Sequence, residues 1–215
     1  MKTSKIALAL IATVMAPFAM AVPITGLVNT GAGVADNAQD TNYFLTVTNG
    51  NTVAGTHGYA ADQVGWPDAS PWIGSNGTSK WLTPFQDESR TLDPVQNGVY
   101  IWTLTFDLSG YDTSVGFING RWAADNFGSV WLNGEQIGVS AGFGNWSSFY
   151  ASHYLFNSGL NTLEFKVTNL ALSSGNPTGV RVEFTASEVP EPESYALLLG
   201  GLGVLGAVAA RRRAK

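Results

Sequence analysis

The chain has 215 residues, with 11 Lys and Arg against 16 Asp and Glu and no cysteine. That length holds one domain of ordinary size between two processed ends, and the missing thiols exclude disulfides, thiolate metal centres and cysteine nucleophiles. Once the charged residues of the ends are set aside (Lys2, Lys5, Glu191, Glu193, Arg211, Arg212, Arg213 and Lys215), five scattered cations face fourteen anions, a balance that repels phosphate backbones and excludes nucleic acid as a partner.

The remaining composition points to β-structure. Twenty-five Gly, seven Trp, seven Tyr and eleven Phe with only 13% charged residues suit short strands, tight turns and aromatic surface, and suit a helical bundle poorly.

Residues 1–21 open with Lys2 and Lys5, continue through the apolar run Ile6 to Met15 and finish in Ala19-Met20-Ala21. A basic start, a short apolar stretch and a small-x-small ending are the signature of a secretory signal peptide cut by signal peptidase. Residues 22–187 are expected to form one folded unit. Early in it, Asp36 and Asp40 are candidate oxygen ligands for a structural calcium ion, although their spacing does not match an EF-hand loop and a solvated acidic turn is the competing reading. His57 and His153, the only histidines, lack the spacing of a zinc site.

Strand signals follow in order. Tyr43 to Thr48 is expected as a strand, and Tyr100, Trp102, Leu104, Phe106 and Leu108 alternate with Ile101, Thr103, Thr105 and Asp107 as in a half-buried strand. Ser114 to Ile118 is a weaker strand candidate, while Asn133-Gly134 between apolar flanks predicts a hairpin. Leu163, Phe165 and Val167 alternate with Glu164, Lys166 and Thr168; Val180, Val182 and Phe184 alternate with Arg181, Glu183 and Thr185. If these last two strands are neighbours, their charged residues face one another on the solvent side. Many short strands with no convincing helix predict an all-β, antiparallel jelly roll or β-sandwich.

Sugar recognition needs flat apolar faces for the C–H side of a pyranose and polar side chains for its hydroxyls. Trp66 and Trp72 bracket a proline-containing loop, and Trp146 and Tyr150 follow Gly142-Phe143-Gly144-Asn145. These four are the candidate ligand-binding residues, each with loop packing as its alternative. Trp81, Trp102 and Trp122 are assigned to the core. No serine-triad motif or phosphate loop appears, and the one adjacent acidic pair, Asp87-Glu88, would point apart on a strand. Catalysis is therefore left without a candidate.

The tail reads Val189-Pro190-Glu191-Pro192-Glu193-Ser194, then an apolar stretch from Tyr195 to Ala210, then Arg211-Arg212-Arg213. The prolines stiffen an accessible linker. The sixteen-residue apolar stretch spans about 24 Å as a helix, marginal against a hydrocarbon core of about 30 Å, and the arginines hold their side in the cytoplasm. Residues 188–215 are thus expected as a sorting and anchoring segment with a transmembrane helix. The proline–glutamate–proline triplet, the apolar stretch and the terminal arginines together resemble the PEP-CTERM sorting signal of Gram-negative bacteria that make exopolysaccharide. The resemblance implies recognition by an exosortase, transient anchoring in the inner membrane and passage to the outer surface or extracellular matrix.

The segments Gly120 to Asn126, Val130 to Gly134, Leu160 to Val167 and Asn176 to Val180 resemble galactose-binding-domain-like jelly rolls. Such folds serve many functions, so the likeness does not transfer a ligand. The leading expectation is a non-catalytic surface protein that contacts exopolysaccharide and needs no cofactor. A structural or adhesive module for protein partners is the alternative, and a glycan-acting enzyme the third.

Overall fold

The computed structural model describes residues 21–50, 53, 55–62, 71–140, 142–190 and 192–213. The signal segment before residue 21 and the candidates Trp66 and Glu191 lie outside them. Eleven strands and one helix follow in chain order: β1 (Ala21–Val22), β2 (Gln39–Asn49), β3 (His57–Ala61), β4 (Trp81–Thr83), β5 (Gly98–Asp107), β6 (Phe117–Asp125), β7 (Phe127–Leu132), β8 (Glu135–Ser140), β9 (Ser147–Ser152), β10 (Leu160–Asn169), β11 (Gly179–Pro190) and α1 (Pro192–Arg213).

The described residues are all-β apart from the tail helix and two short 3₁₀ turns. Every strand pairing is antiparallel, in the order β8-β7-β10-β5-β2-β3-β4-β11-β6-β9, with β1 added to β11. The sheet curls until its two ends meet: a Cβ on Gly138 of β8 would lie 3.0 Å from Cβ of Phe149 on β9. The result is a sandwich that is nearly a closed barrel, with β8 and β9 as its two terminal strands.

Strict alternation on β5 and β10 puts Tyr100, Trp102, Leu104, Phe106, Leu163, Phe165 and Val167 inward. Phe165 bridges the halves, with ring centroids 5.6 Å from Trp122 of β6, 5.7 Å from Phe149 of β9 and 6.3 Å from Tyr43 of β2. Trp81, Trp102 and Trp122 are fully buried, as the sequence suggests. The β7–β8 hairpin forms where Asn133-Gly134 predicts it, with φ of +51° and +90° at the two turn residues, the conformation a two-residue hairpin loop demands.

Two expectations need correction. Residues Thr113–Val115 form a 3₁₀ turn and the strand begins only at Phe117, because the Asp112 carboxylate accepts the Ser114 backbone N–H at 3.0 Å and caps the turn. The charged faces of β10 and β11 do not meet either. β10 pairs with β5 and β7, whereas β11 pairs with β4 and β6. Glu164 bridges to Lys166 on its own strand at 3.1 Å, and Arg181 and Glu183 are buried elsewhere.

The last strand runs on past residue 187. Ser187 and Glu188 pair with Ile118 and Phe117 on one side, and β1 pairs with Val189 and Pro190 on the other. Val189 is fully buried, and a Cβ on Gly116 would sit 2.9 Å from both Val189 Cγ2 and Phe156 Cε2, so only glycine lets that loop close on the strand. The helix then starts at Pro192, a favoured first helical position. Among the described residues no helix is long and apolar enough to cross a membrane; the side chains of the first turns, through Leu198, lie outside the described set.

Because Phe165 contacts three rings from both halves, Phe165→Ala should cost about 3–5 kcal/mol and lower the urea midpoint without changing the slope. A change under about 1 kcal/mol would mean that the halves do not depend on this bridge.

Candidate functional site

The outer face of β11 is where charge and aromatics converge. Val180 and Val182 point into the core, so Arg181 and Glu183 must point out. Residues 71–80 lie across that face and take both out of solvent, leaving them 0% and 3% exposed. Arg181 donates to Ser79 Oγ at 2.7 Å, to the carbonyls of Ile73 and Gly74, and to Glu183 Oε1 at 3.3 Å. Glu183 also accepts from Ser79 Oγ at 2.7 Å, Asn76 Nδ2 at 3.2 Å and Arg121 Nε at 2.8 Å. Burial pulls its carboxyl upward, but the bonds from Ser79, Arg121 and Asn76 outweigh burial and hold it below the usual glutamate range.

Four aromatic candidates meet four fates. Trp146 is half-buried against two guanidiniums, its ring 4.5 Å from Arg121 Cζ and 4.8 Å from Arg181 Cζ. Trp72 is 4% exposed: it stacks on Trp81 at 4.4 Å and donates its indole N–H to Asp125 Oδ2 at 2.7 Å, so no ring face is left open for a sugar. Tyr150 is 55% exposed on β9. Trp66 lies outside the described residues.

Tyr150 borders a cleft of about 420 Å³, walled by Asn119 and Gly120 of β6, Ile137 of β8, Ser148 and Phe149 of β9, and Thr185 and Ala186 of β11. The register explains the grouping. Asn119 is paired with Tyr150 and with Ala186, and the bulge between Phe184 and Ala186 opens the strand at Thr185. One step along the same face Arg121 pairs with Ser148 and carries the Trp146 ring. Trp146 and Tyr150 therefore share one surface, four residues or roughly 13 Å of strand apart.

Asp125, at the end of β6, was not a candidate from sequence. It is 4% exposed, its Oδ2 is held by Trp72, its Oδ1 has no partner, and burial raises its pKa to about 7 against the lowering bond from Trp72. The two candidate calcium ligands each have partners within the protein. Asp40 accepts Gly31 N at 2.7 Å and both Asn42 N and Nδ2, while Asp36 pairs with Lys80. Among the described residues no three His, Asp or Glu side chains gather as metal ligands. His57 Nδ1 donates to the Tyr43 carbonyl, 2.9 Å away.

Two outcomes test this wiring. Replacing Glu183 by Ala strands a buried guanidinium and should cost about 3–5 kcal/mol, whereas a loss under 1 kcal/mol would mean that water rescues Arg181. Asp125 binds its proton more tightly folded than unfolded, so its contribution is full below the ordinary aspartate range and is lost as pH rises towards 7. Asp125→Asn, which keeps an acceptor for Trp72, should therefore gain thermal stability relative to the parent between pH 5 and pH 8; parallel pH curves for the two proteins would refute the buried-acid assignment.

No curated protein matches this chain. Among solved structures, it is similar to the PA14 sugar-binding domain from an RTX adhesin, at 14% identity and a TM-score of 0.26, covering 44% of this chain and 51% of that one. The chain thus spans about half the length of that domain, and an overlap so slight carries no argument about its fold or ligand. Residues 188–213, by contrast, match the PEP-CTERM protein-sorting motif, over the stretch that holds Pro190, Glu191, Pro192 and the arginines Arg211, Arg212 and Arg213. The chain carries a PEP-CTERM sorting tail, and with it the marks of a secreted, exosortase-processed protein held by a C-terminal membrane anchor until it is cut.

Proposed function

We propose that the sandwich is a non-catalytic binding module for extracellular polysaccharide, displayed at the cell surface or in the matrix after the tail is processed. The observation that carries this reading is the cleft beside Tyr150. An exposed aromatic ring stands next to the amide of Asn119 and the hydroxyls of Ser148 and Thr185, which is the pairing of flat apolar face and hydroxyl partners that a pyranose requires. Trp146, steadied on Arg121 and Arg181, extends the same surface and offers a second platform for a longer chain.

The cleft's chemistry favours binding over turnover. None of its lining residues is a carboxylate or a histidine, whereas cleaving a glycosidic bond calls for two carboxyl groups flanking it. Two of the walls, β6 and β9, are joined by an unbroken ladder, and the third, β11, pairs with β6 on either side of its bulge, which suits a preformed recognition surface. An acidic outer surface is compatible with a neutral polysaccharide and unsuited to a strongly anionic one.

Affinity electrophoresis of the purified protein through gels containing neutral polysaccharides checks the proposal. Retardation is expected with at least one polymer, and Tyr150→Ala should weaken it about tenfold, the effect of losing about 1.4 kcal/mol of ring contact. Trp146→Ala should weaken long chains more than short ones. If the protein migrates freely in every gel yet co-purifies with another surface protein, the adhesive reading replaces this one.

A further inference from the structure

One end of the sandwich combines exposed apolar side chains with the exit of the sorting tail. The loop joining β5 to β6, the 3₁₀ turn His153–Leu155 and the end of β11 all meet there, packed through Gly116, Phe156 and Val189. Tyr154 is 84% exposed, Leu160 64% and Val115 54%. Such side chains, with none of the described residues covering them, are costly in water when grouped at one end.

The tail fixes what lies opposite. β11 ends at Pro190 and α1 begins at Pro192. Tyr195, which opens the apolar stretch, is only five residues past the last strand, at most about 18 Å of chain even if fully extended and less once helical. A helix lodged in a bilayer on so short a tether brings this end of the sandwich to the membrane surface. Aromatic and aliphatic side chains suit the interfacial layer. Residues 107–117, 153–160 and 185–190 contain Asp107, Asp112 and Glu188 but no Lys or Arg, so the matching surface is one of neutral headgroups.

We propose that Val115, Tyr154 and Leu160 form a membrane-docking face that seats the sandwich on the neutral interface of the bilayer while the tail is inserted, holding the Pro190 to Pro192 segment at headgroup level. The proposal rests on the anchoring role of the tail and is independent of the glycan reading. Seating also limits rotation about the short linker, so the segment is presented to a membrane enzyme in a restricted orientation.

The absence of cysteine makes the test direct. Single cysteines replace Tyr154, or Val95 as a control, which is 89% exposed at the opposite end, about 33 Å away along the ten residues of β5. The full chain without its leader, labelled with an environment-sensitive fluorophore, is reconstituted with phosphatidylcholine vesicles and recovered by flotation. The Y154C probe should shift to the blue and be quenched by lipids bearing a headgroup-level quencher, with the V95C probe unchanged. Aqueous emission from both probes in floated protein overturns the docking face alone. Failure to float overturns the anchoring role of the tail, and the docking face with it.

Discussion

A guanidinium with no exposed surface must find its charge partner and its hydrogen bonds inside the protein, and Arg181 finds them by drawing residues 73–79 across the sheet. Glu183 completes the arrangement by taking bonds from the covering segment and from Arg121 on the neighbouring strand. This pair determines what the outer face of β11 can become. Had the two positions been solvated, as their alternation with Val180 and Val182 suggests, the covering segment would have no polar anchor and Trp146 no second guanidinium to rest on.

The aromatic side chains divide their roles around that pair. Trp72 and Trp81 form a small second core beneath the covering segment, with Ala61 and Ala123. Asp125 sits at its margin and gives Trp72 an acceptor, at the expense of a carboxyl that burial holds protonated well above the normal aspartate range. Trp146 lies between core and solvent, and Tyr150 lies beyond it on open surface. A graded face of this kind, packed at one end and open at the other, gives the cleft rigid walls without filling it.

The same strand carries the second theme. β11 contributes Val180 and Val182 to the core, Arg181 and Glu183 to the outer face, and Val189 to the end where β1 joins it and the tail departs. Fold, the proposed recognition surface and the sorting signal are thereby coupled through one strand. The sandwich extends to the threshold of the proline–glutamate–proline segment and leaves only a short link before the helix begins. That closeness is why the chemistry of the tail bears on the chemistry of the sandwich end.

The sequence by itself determined what depends on local period and on short-range turn chemistry. Alternation named the inward residues of β5 and β10, Asn133-Gly134 placed its hairpin, and the order of proline pair, apolar run and arginines identified the tail. Each of these is set by neighbours within a few residues, so one chain is enough to read them. Strand order was a different matter. Nothing local tells whether β10 lies beside β11 or whether an alternating charged residue meets water or a covering loop, because that is settled by contacts about a hundred residues apart, such as Arg181 with Gly74 and Ser79. For the same reason Trp72, Trp146 and Tyr150 look alike in sequence, and only the tertiary structure decided that one is packed, one rests against two arginines and one is left open to solvent.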